Sequence, residues 1–545
     1  MKPSFLFALL SVTLPSLAPS QPPRPSAHPI PSIVEKDHRF ALMVDGSPYL
    51  MLGFQANNSS AWPAYFDKVF PAAAILHANT VELPVYWEQF EATPGHYDYS
   101  IVDAMLTQAR AHHVHLVLLW FGTWKNGSSH YTPQWIKEDQ QKYPFLVNKD
   151  GETVDSPSTF SPARLEADKH AFAALMRHLR ATDPQRTVLM VQVENEAGVW
   201  HGIRDYRPEA EKEFAGTVPQ KLLDGLGKQP GTWQQVFGEA ADETFQAWCI
   251  ATYIAQVAAA GKAEYPLPLY TNAALRDPIN PGRPGSYESG APTDQNIQLY
   301  KTAAPSLSII APDIYMPEYA KYMAVMDQYK RFNNPLLIPE TGNAPIYAHY
   351  VYAAVGQGAI GFAPFGLDLT AYSNLTEGAE AMGDKSAPGP ESRLAPFANE
   401  YALLEPIAGK LAQANVDGSL RGASEDPNAH TQTLDFPRWQ ADLSYGLPAF
   451  GNWIKPKGNT PPDGGAVIVA LGPDEFLLAG HHVRVDFTPK FDKTKKRLFL
   501  EVQEGAYDAS GKWQMNRIWN GDQTDYGLNL NADAGFLLKV KLTTY

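Results

Sequence analysis

The chain has 545 residues, 44% of them apolar and 12% aromatic, which supports a large packed core and more than one domain and excludes a disordered protein. Its 44 Lys and Arg against 58 Asp and Glu leave a formal charge of −14, a surface that repels phosphate backbones, so no nucleic-acid partner is expected. A single cysteine, Cys249, excludes intramolecular disulfides and any Cys-rich metal site.

Near the N-terminus, Lys2 is the only early charge, Phe5 to Leu14 is mainly apolar, and Ser16-Leu17-Ala18 offers a small-x-Ala cleavage site. Residues 1–20 are therefore predicted to be an export signal, making the protein secreted or periplasmic. The apolar run is too short to span a bilayer, and no other segment has 18 uninterrupted apolar residues, so no membrane span is expected. Residues 21–37, rich in Pro and Ser, read as a tether.

From about residue 38, strand-like and helix-like segments alternate. An Asp45-Gly46 hairpin signal comes first. Eight candidate strands follow: Leu50–Gln55, Thr80–Leu83, His115–Trp120, Thr187–Val193, Pro268–Asn272, Ser308–Tyr315, Pro335–Pro339 and Ala359–Pro364. Helical patterns between them are clearest over Ile101–Ala111, Leu165–Ala181 and Glu243–Ala260. A doubly wound sheet would carry a Gly-rich phosphate turn after its first strand, and none is present. The alternation predicts an α/β fold, a (β/α)8 TIM barrel with a linking helix, over residues 38–414.

The longest insertion, Trp200 to Trp233, follows the fourth strand and is placed to shape a cleft. The segment Gly383–Pro390 breaks the pattern. Beyond residue 415, alternating strands at Val467–Leu471, Phe476–Ala479, Val483–Phe487, Leu498–Gln503 and Phe536–Leu542 predict a C-terminal antiparallel β-sandwich, residues 415–545. Its Trp439, Trp453, Trp513 and Trp519 are read as packing residues.

Two apolar runs end abruptly in a carboxylate: Val191-Gln192-Val193-Glu194-Asn195-Glu196 and Leu336-Leu337-Ile338-Pro339-Glu340. A buried strand has no use for a terminal Glu, so each needs a separate reason. On a barrel, strands four and seven lie across the central cavity, and two facing carboxylates suit a general acid/base and a nucleophile for cleaving glycosidic bonds. Glu196 is the candidate acid, since partial burial and a second negative charge would raise its pKa. Asn195 is placed to hydrogen-bond a sugar hydroxyl, and Glu194 is expected to point the other way. The residues alone leave the stereochemistry open.

The segment Val191–Gly198 resembles the acid/base motif of glycoside hydrolase family 35, the β-galactosidase family of clan A, and Asn79–Gly95 resembles the strand-two region shared by families 35 and 42. The resemblance covers the barrel, about two thirds of the chain. It implies a retaining enzyme with Glu196 as proton donor, Glu340 as nucleophile, and Tyr315 bonded to the nucleophile. Departures mark a divergent bacterial-type branch: Ala197 and Pro84 stand where the family has Tyr, and Thr123 where it has a carboxylate. These positions help hold galactose hydroxyls in the family.

Asn57, Trp87, Trp120 and Trp124 lie near strand ends and are candidate sugar contacts, amides for hydroxyls and aromatic faces for C–H surfaces. His112, His113 and His115 lack a carboxylate partner or HExxH spacing, so no metal is expected, and no phosphate loop or Gly-x-Ser-x-Gly elbow suggests a cofactor or an esterase. The expected function is removal of terminal β-galactosyl groups from oligosaccharides such as hemicellulose (xyloglucan) fragments. The rivals are a clan A exo-glycosidase for β-glucosides, β-mannosides or arabinosides, and a noncatalytic glycan-binding protein.

Overall fold

The computed structural model describes residues 28–370, 390–448, 454–508, 510–532 and 534–545. The expected export signal, the tether up to residue 27, nearly all of Gly383–Pro390, and Trp453 lie outside the described residues. Within the expected tether, Ser32–Lys36 is a strand paired antiparallel with Arg39–Val44. This corrects the tether's boundary: the β-branched pair Ile33-Val34 favours a strand that the Pro-rich composition concealed. Arg39–Val44 then turns through Asp45-Gly46, both at positive φ (50° and 77°), into Ser47–Tyr49, the geometry that favours Asp-Gly in two-residue hairpins.

Eight parallel strands close a barrel: β1 (Met51–Gln55), β2 (Thr80–Tyr86), β3 (His115–Lys125), β4 (Val188–Asn195), β5 (Leu269–Ala274), β6 (Ile309–Ile314), β7 (Ile338–Thr341) and β8 (Gly361–Pro364). Closure is made by β8 on β1, with Gly361 opposite Met51 and Phe362 opposite Leu52. All eight expected strands are present. Each is followed by a helix: α1 (Phe66–Leu76), α2 (Ser100–Ala111), α3 (Pro162–Thr182), α4 (Ala241–Glu264), α5 (Ile297–Ala303), α6 (Tyr319–Tyr329), α7 (Tyr350–Gly356) and α8 (Pro390–Leu404). Local sequence explains their starts. At α3, Ser161 accepts a hydrogen bond from the Arg164 amide, and Pro162 occupies the first turn, where its missing N–H costs nothing. The insertion after β4 folds into three short helices, Pro208–Phe214, Gln220–Leu226 and Trp233–Phe237.

The C-terminal region is an antiparallel β-domain of two sheets, six-stranded and four-stranded. Alternate residues of both sheets, such as Ala441, Leu443, Val485 and Leu528 facing Ile468, Leu478, Leu538 and Val540, enclose one core. The outer face of the six-stranded sheet, through Val467, Val469, Leu477 and Ala479, merges into the barrel core. Contact is closest where α7 meets the strand Leu420–Ser424. A Cβ on Gly356 would lie 2.3 Å from the Gly422 Cα, so neither residue can carry a side chain.

Candidate active site

Barrel strands deliver their last residues to one mouth, and the carboxylates gather there. Asp313 pairs in register with Glu340 across β6 and β7. Single oxygens of Glu196, Asp313 and Glu340 all lie within 4.8 Å of one another, and all three residues are buried. Three carboxyls that close cannot all ionise. Glu196 is pushed up to about 7, first by burial and then by the Glu340 charge, with Lys125 and Asp313 pulling the other way. Asp313 is pushed well above the usual carboxylate range by burial, Glu340 and Glu196. The Tyr315 hydroxyl donates to Glu340 Oε1. The Tyr315 ring is 45% exposed, but desolvation around its hydroxyl and the same Glu340 charge raise this phenol, which keeps it a donor.

Strict strand alternation would put Glu194 and Glu196 on the same face. They separate because both have left-handed backbones, φ 61° at Glu194 and 44° at Glu196. Such conformations cost of order 1–3 kcal/mol for a residue with a side chain and persist where surrounding contacts enforce them. The enforcing contacts are specific. The Glu196 amide donates to Asn272 Oδ1 at 3.0 Å, and Asn272 Nδ2 donates to Asp313 Oδ2 at 2.6 Å. Glu194 turns into the helical layer, where Oε2 accepts from the Trp124 amide at 2.8 Å. There it faces Asp168, which is held by Trp120 Nε1 at 2.9 Å and Thr123 Oγ1 at 2.6 Å. Burial and the Asp168 charge push Glu194 well above its usual range, so this pair shares a proton away from the mouth.

Asn195 Oδ1 accepts from the buried Lys125 Nζ at 2.8 Å, while its Nδ2 is buried without a hydrogen bond. Glu340 Oε2 is likewise unpaired, while Asp313 shares a hydrogen bond with Glu196. A buried donor beside a buried acceptor is what a polyhydroxyl ligand would satisfy. Glu288, in the loop after β5, is also buried beside Glu196, whose charge adds to the desolvation that raises it. Gly198 makes room for it, since a Cβ there would lie 2.7 Å from the Glu288 Cβ.

Several expected sugar contacts are placed elsewhere. Trp87 and Trp120 are completely buried, with their indole N–H groups donating to Glu91 and Asp168, so they are packing residues between barrel and helices rather than sugar platforms. Trp124 is 1% exposed and packs edge-on against Tyr253, which removes its face from the cleft. Asn57 lines a cavity with Asn58, Tyr131 and Thr370, and its amide donates to Asp368 Oδ1 and Thr370 Oγ1, tying the β1 and β8 loops together. Thr123 lies in the helical layer with Asp168. Conversely, Lys125, Asn272, Asp313 and Glu288 were not singled out from sequence. The available signal was a polar residue ending an apolar strand, as in Thr271-Asn272 and Pro312-Asp313. Trp200, which opens the insertion after β4, is 39% exposed and lies against Gly127, whose Cβ would sit 2.8 Å from the indole.

A family model described as a domain of unknown function, DUF5597, matches residues 397–531, the end of α8 and most of the β-domain. No curated protein matches the chain. Solved structures similar to it include a β-galactosidase from Bacillus circulans sp. alkalophilus, 14% identical over 67% of this chain and 57% of that one, with a TM-score of 0.48. Another is a β-galactosidase from the psychrophilic Marinomonas ef1, 12% identical over 67% and 62%, TM-score 0.49. A third is an exo-β-1,4-mannosidase from Opitutaceae bacterium strain TAV5, 14% identical over 71% and 62%, TM-score 0.42. All three are glycoside hydrolases, and the chain spans about three fifths of their length. At these identities the matches carry no information on substrate.

Proposed function

We propose that the protein is a retaining exo-glycosidase that removes terminal β-galactosyl groups from oligosaccharides, plant hemicellulose fragments among them, as a divergent member of glycoside hydrolase family 35 acting outside the cytoplasm. The observation that carries the hydrolase reading is the approach of the Glu196 and Glu340 oxygens within 4.8 Å. An inverting pair must stand about 6.5–9.5 Å apart to admit a water, whereas a retaining pair at about 5–5.5 Å allows direct attack. The motif around Glu196 supports the galactose assignment, and the N-terminal signal pattern supports export.

In this reading Glu340, oriented by the Tyr315 hydroxyl, attacks the anomeric carbon while Glu196 gives its proton to the departing oxygen. The product is a glycosyl ester on Glu340 and a free aglycone. Esterification removes the Glu340 charge, one of the two causes that raise Glu196. Glu196 then becomes a stable carboxylate, able to take a proton from the water that cleaves the ester. Asn195 Nδ2 is a donor available to a hydroxyl beside the reacting carbon, and Trp200 and Tyr315 are exposed rings available to stack on the sugar chain.

The test is hydrolysis of aryl β-galactosides, β-glucosides and β-mannosides, followed by proton NMR of the first sugar released. Release of β-galactose as the initial anomer is expected. Turnover of only the gluco or manno substrate would remove the galactose assignment, and initial release of the α-anomer would remove the retaining mechanism. Absence of turnover on all, with glycan binding retained, would favour a noncatalytic binding protein.

A further inference from the structure

At the seam between barrel and β-domain lies a cavity of about 620 Å³. It is bordered by the loop before α7 (Ala344–His349), by α8 through Asn399 and Glu400, by Pro461 and Asp463, and by the His481-His482 pair. A carboxylate oxygen of Asp463 and one ring nitrogen each from His481 and His482 lie within 4.8 Å of one another. His482 Nδ1 is 2.8 Å from Asp463 Oδ1, and His481 Nδ1 stands 3.2 Å from both Glu400 Oε2 and the Tyr352 hydroxyl.

A simple His–Asp ion pair accounts for His482 and Asp463, but His481 brings a second imidazole nitrogen within 4.8 Å of both. Glu400 and His349 line the same cavity, each no more than 3% exposed; Glu400 pairs with His481, and the His349 ring bonds the backbone of Ile346 and Glu425. We propose that Asp463, His481 and His482 form a binding site for a divalent transition metal, zinc in the first instance, with water from the cavity completing its shell.

The donor set fits that class of ion. Two imidazoles with a carboxylate suit zinc and its neighbours, whereas calcium and magnesium take all-oxygen shells. A tetrahedral zinc with bonds of about 2.0–2.2 Å holds its ligand atoms roughly 3.4 Å apart, so atoms within 4.8 Å of one another need to draw in by no more than about 1.4 Å. The proton shared by His482 and Asp463 leaves to solvent as the ion enters, so affinity rises with pH. The site is separate from the carboxylates of β4 and β7, and its test does not depend on the proposed glycosidase activity.

The experiment uses the full chain stripped with a chelator, then titrated with Zn2+ by calorimetry and with Co2+ by visible absorption. Wild type, His482→Ala, Asp463→Asn and Glu340→Gln are compared, with circular dichroism confirming the fold of each. One equivalent is expected to bind wild type and Glu340→Gln, with affinity at least tenfold weaker in the two site variants and a zinc-dependent rise in Tm only where the site is intact. If His482→Ala does not fold, the isosteric Asp463→Asn variant decides. Absence of saturable binding to wild type, equal binding to both site variants, or loss of binding in Glu340→Gln would each overturn the assignment.

Discussion

Removing the Glu340 charge should lower the pKa of Glu196, and the amount can be worked from the structure. Glu196 is held at about 7 by burial first and the Glu340 charge second. Two unit charges 4.8 Å apart interact by about 3.5 kcal/mol at an effective dielectric of about 20. At 1.36 kcal/mol per pH unit that is about 2.5 units for nearest oxygens at the outer limit of their separation. The full charges are more spread than the nearest oxygens, so a fall of about one to two units is expected in Glu340→Gln. The assay is a carbon NMR titration of protein labelled at Glu side-chain carboxyls, with Glu340→Gln/Glu196→Gln as the assignment control. The same reasoning makes kcat/KM of the wild type fall as pH rises through about 7, because the acid must be protonated to act. A Glu196 resonance that still titrates near 7 in Glu340→Gln would refute the reasoning, since burial alone would then set the value.

Three further outcomes are expected. Asn272→Ala strands the buried Glu196 amide and an oxygen of Asp313, a cost of about 1–3 kcal/mol; misplacement of the acid should cut kcat about 10- to 100-fold, read by steady-state kinetics alongside Tm. Glu196→Gln should raise Tm more at pH 8 than at pH 5. The folded protein holds the Glu196 proton up to about 7 while the unfolded chain releases it near 4.5, so the native glutamate loses stability as pH rises across that window and glutamine does not; an equal shift at both pH values would count against it. Gly356→Ala must displace the Gly422 backbone and should destabilise the protein by about 1–3 kcal/mol or more, measured by thermal unfolding, with activity at low temperature retained.

Much of the frame was legible because its signals are local. Each barrel strand is a short apolar run, and the runs that end in Glu196 and Glu340 announce their own exception. The β-domain was half legible: Gly465–Gly472 and Phe536–Thr544 are apolar runs, but Leu420–Ser424 and Thr431–Asp435 are short and polar, and their pairing comes from neighbours distant in sequence. The tryptophans misled for a physical reason. Every residue of β3 from Leu116 onward is buried, so no period of two reveals that Trp120 faces the helices and not the mouth. Asn57 was placed correctly after β1, yet its partner Asp368 lies 311 residues away, beyond any local pattern. The left-handed turns at Glu194 and Glu196 have no sequence signature, because glycine, their usual marker, is absent. Asn272 and Asp313 become functional residues only through contact with that turn.

The central claim is that Glu340 forms a covalent bond to the sugar. Incubation with a 2-deoxy-2-fluoro-β-galactosyl fluoride slows both steps and favours accumulation of the ester, which intact-protein mass spectrometry and peptide mapping can locate. One sugar per chain on the peptide containing Glu340, absent from Glu340→Gln, is expected. A turnover-competent protein that accumulates no adduct, or carries it on a different residue, would contradict the assignment of Glu340 as nucleophile.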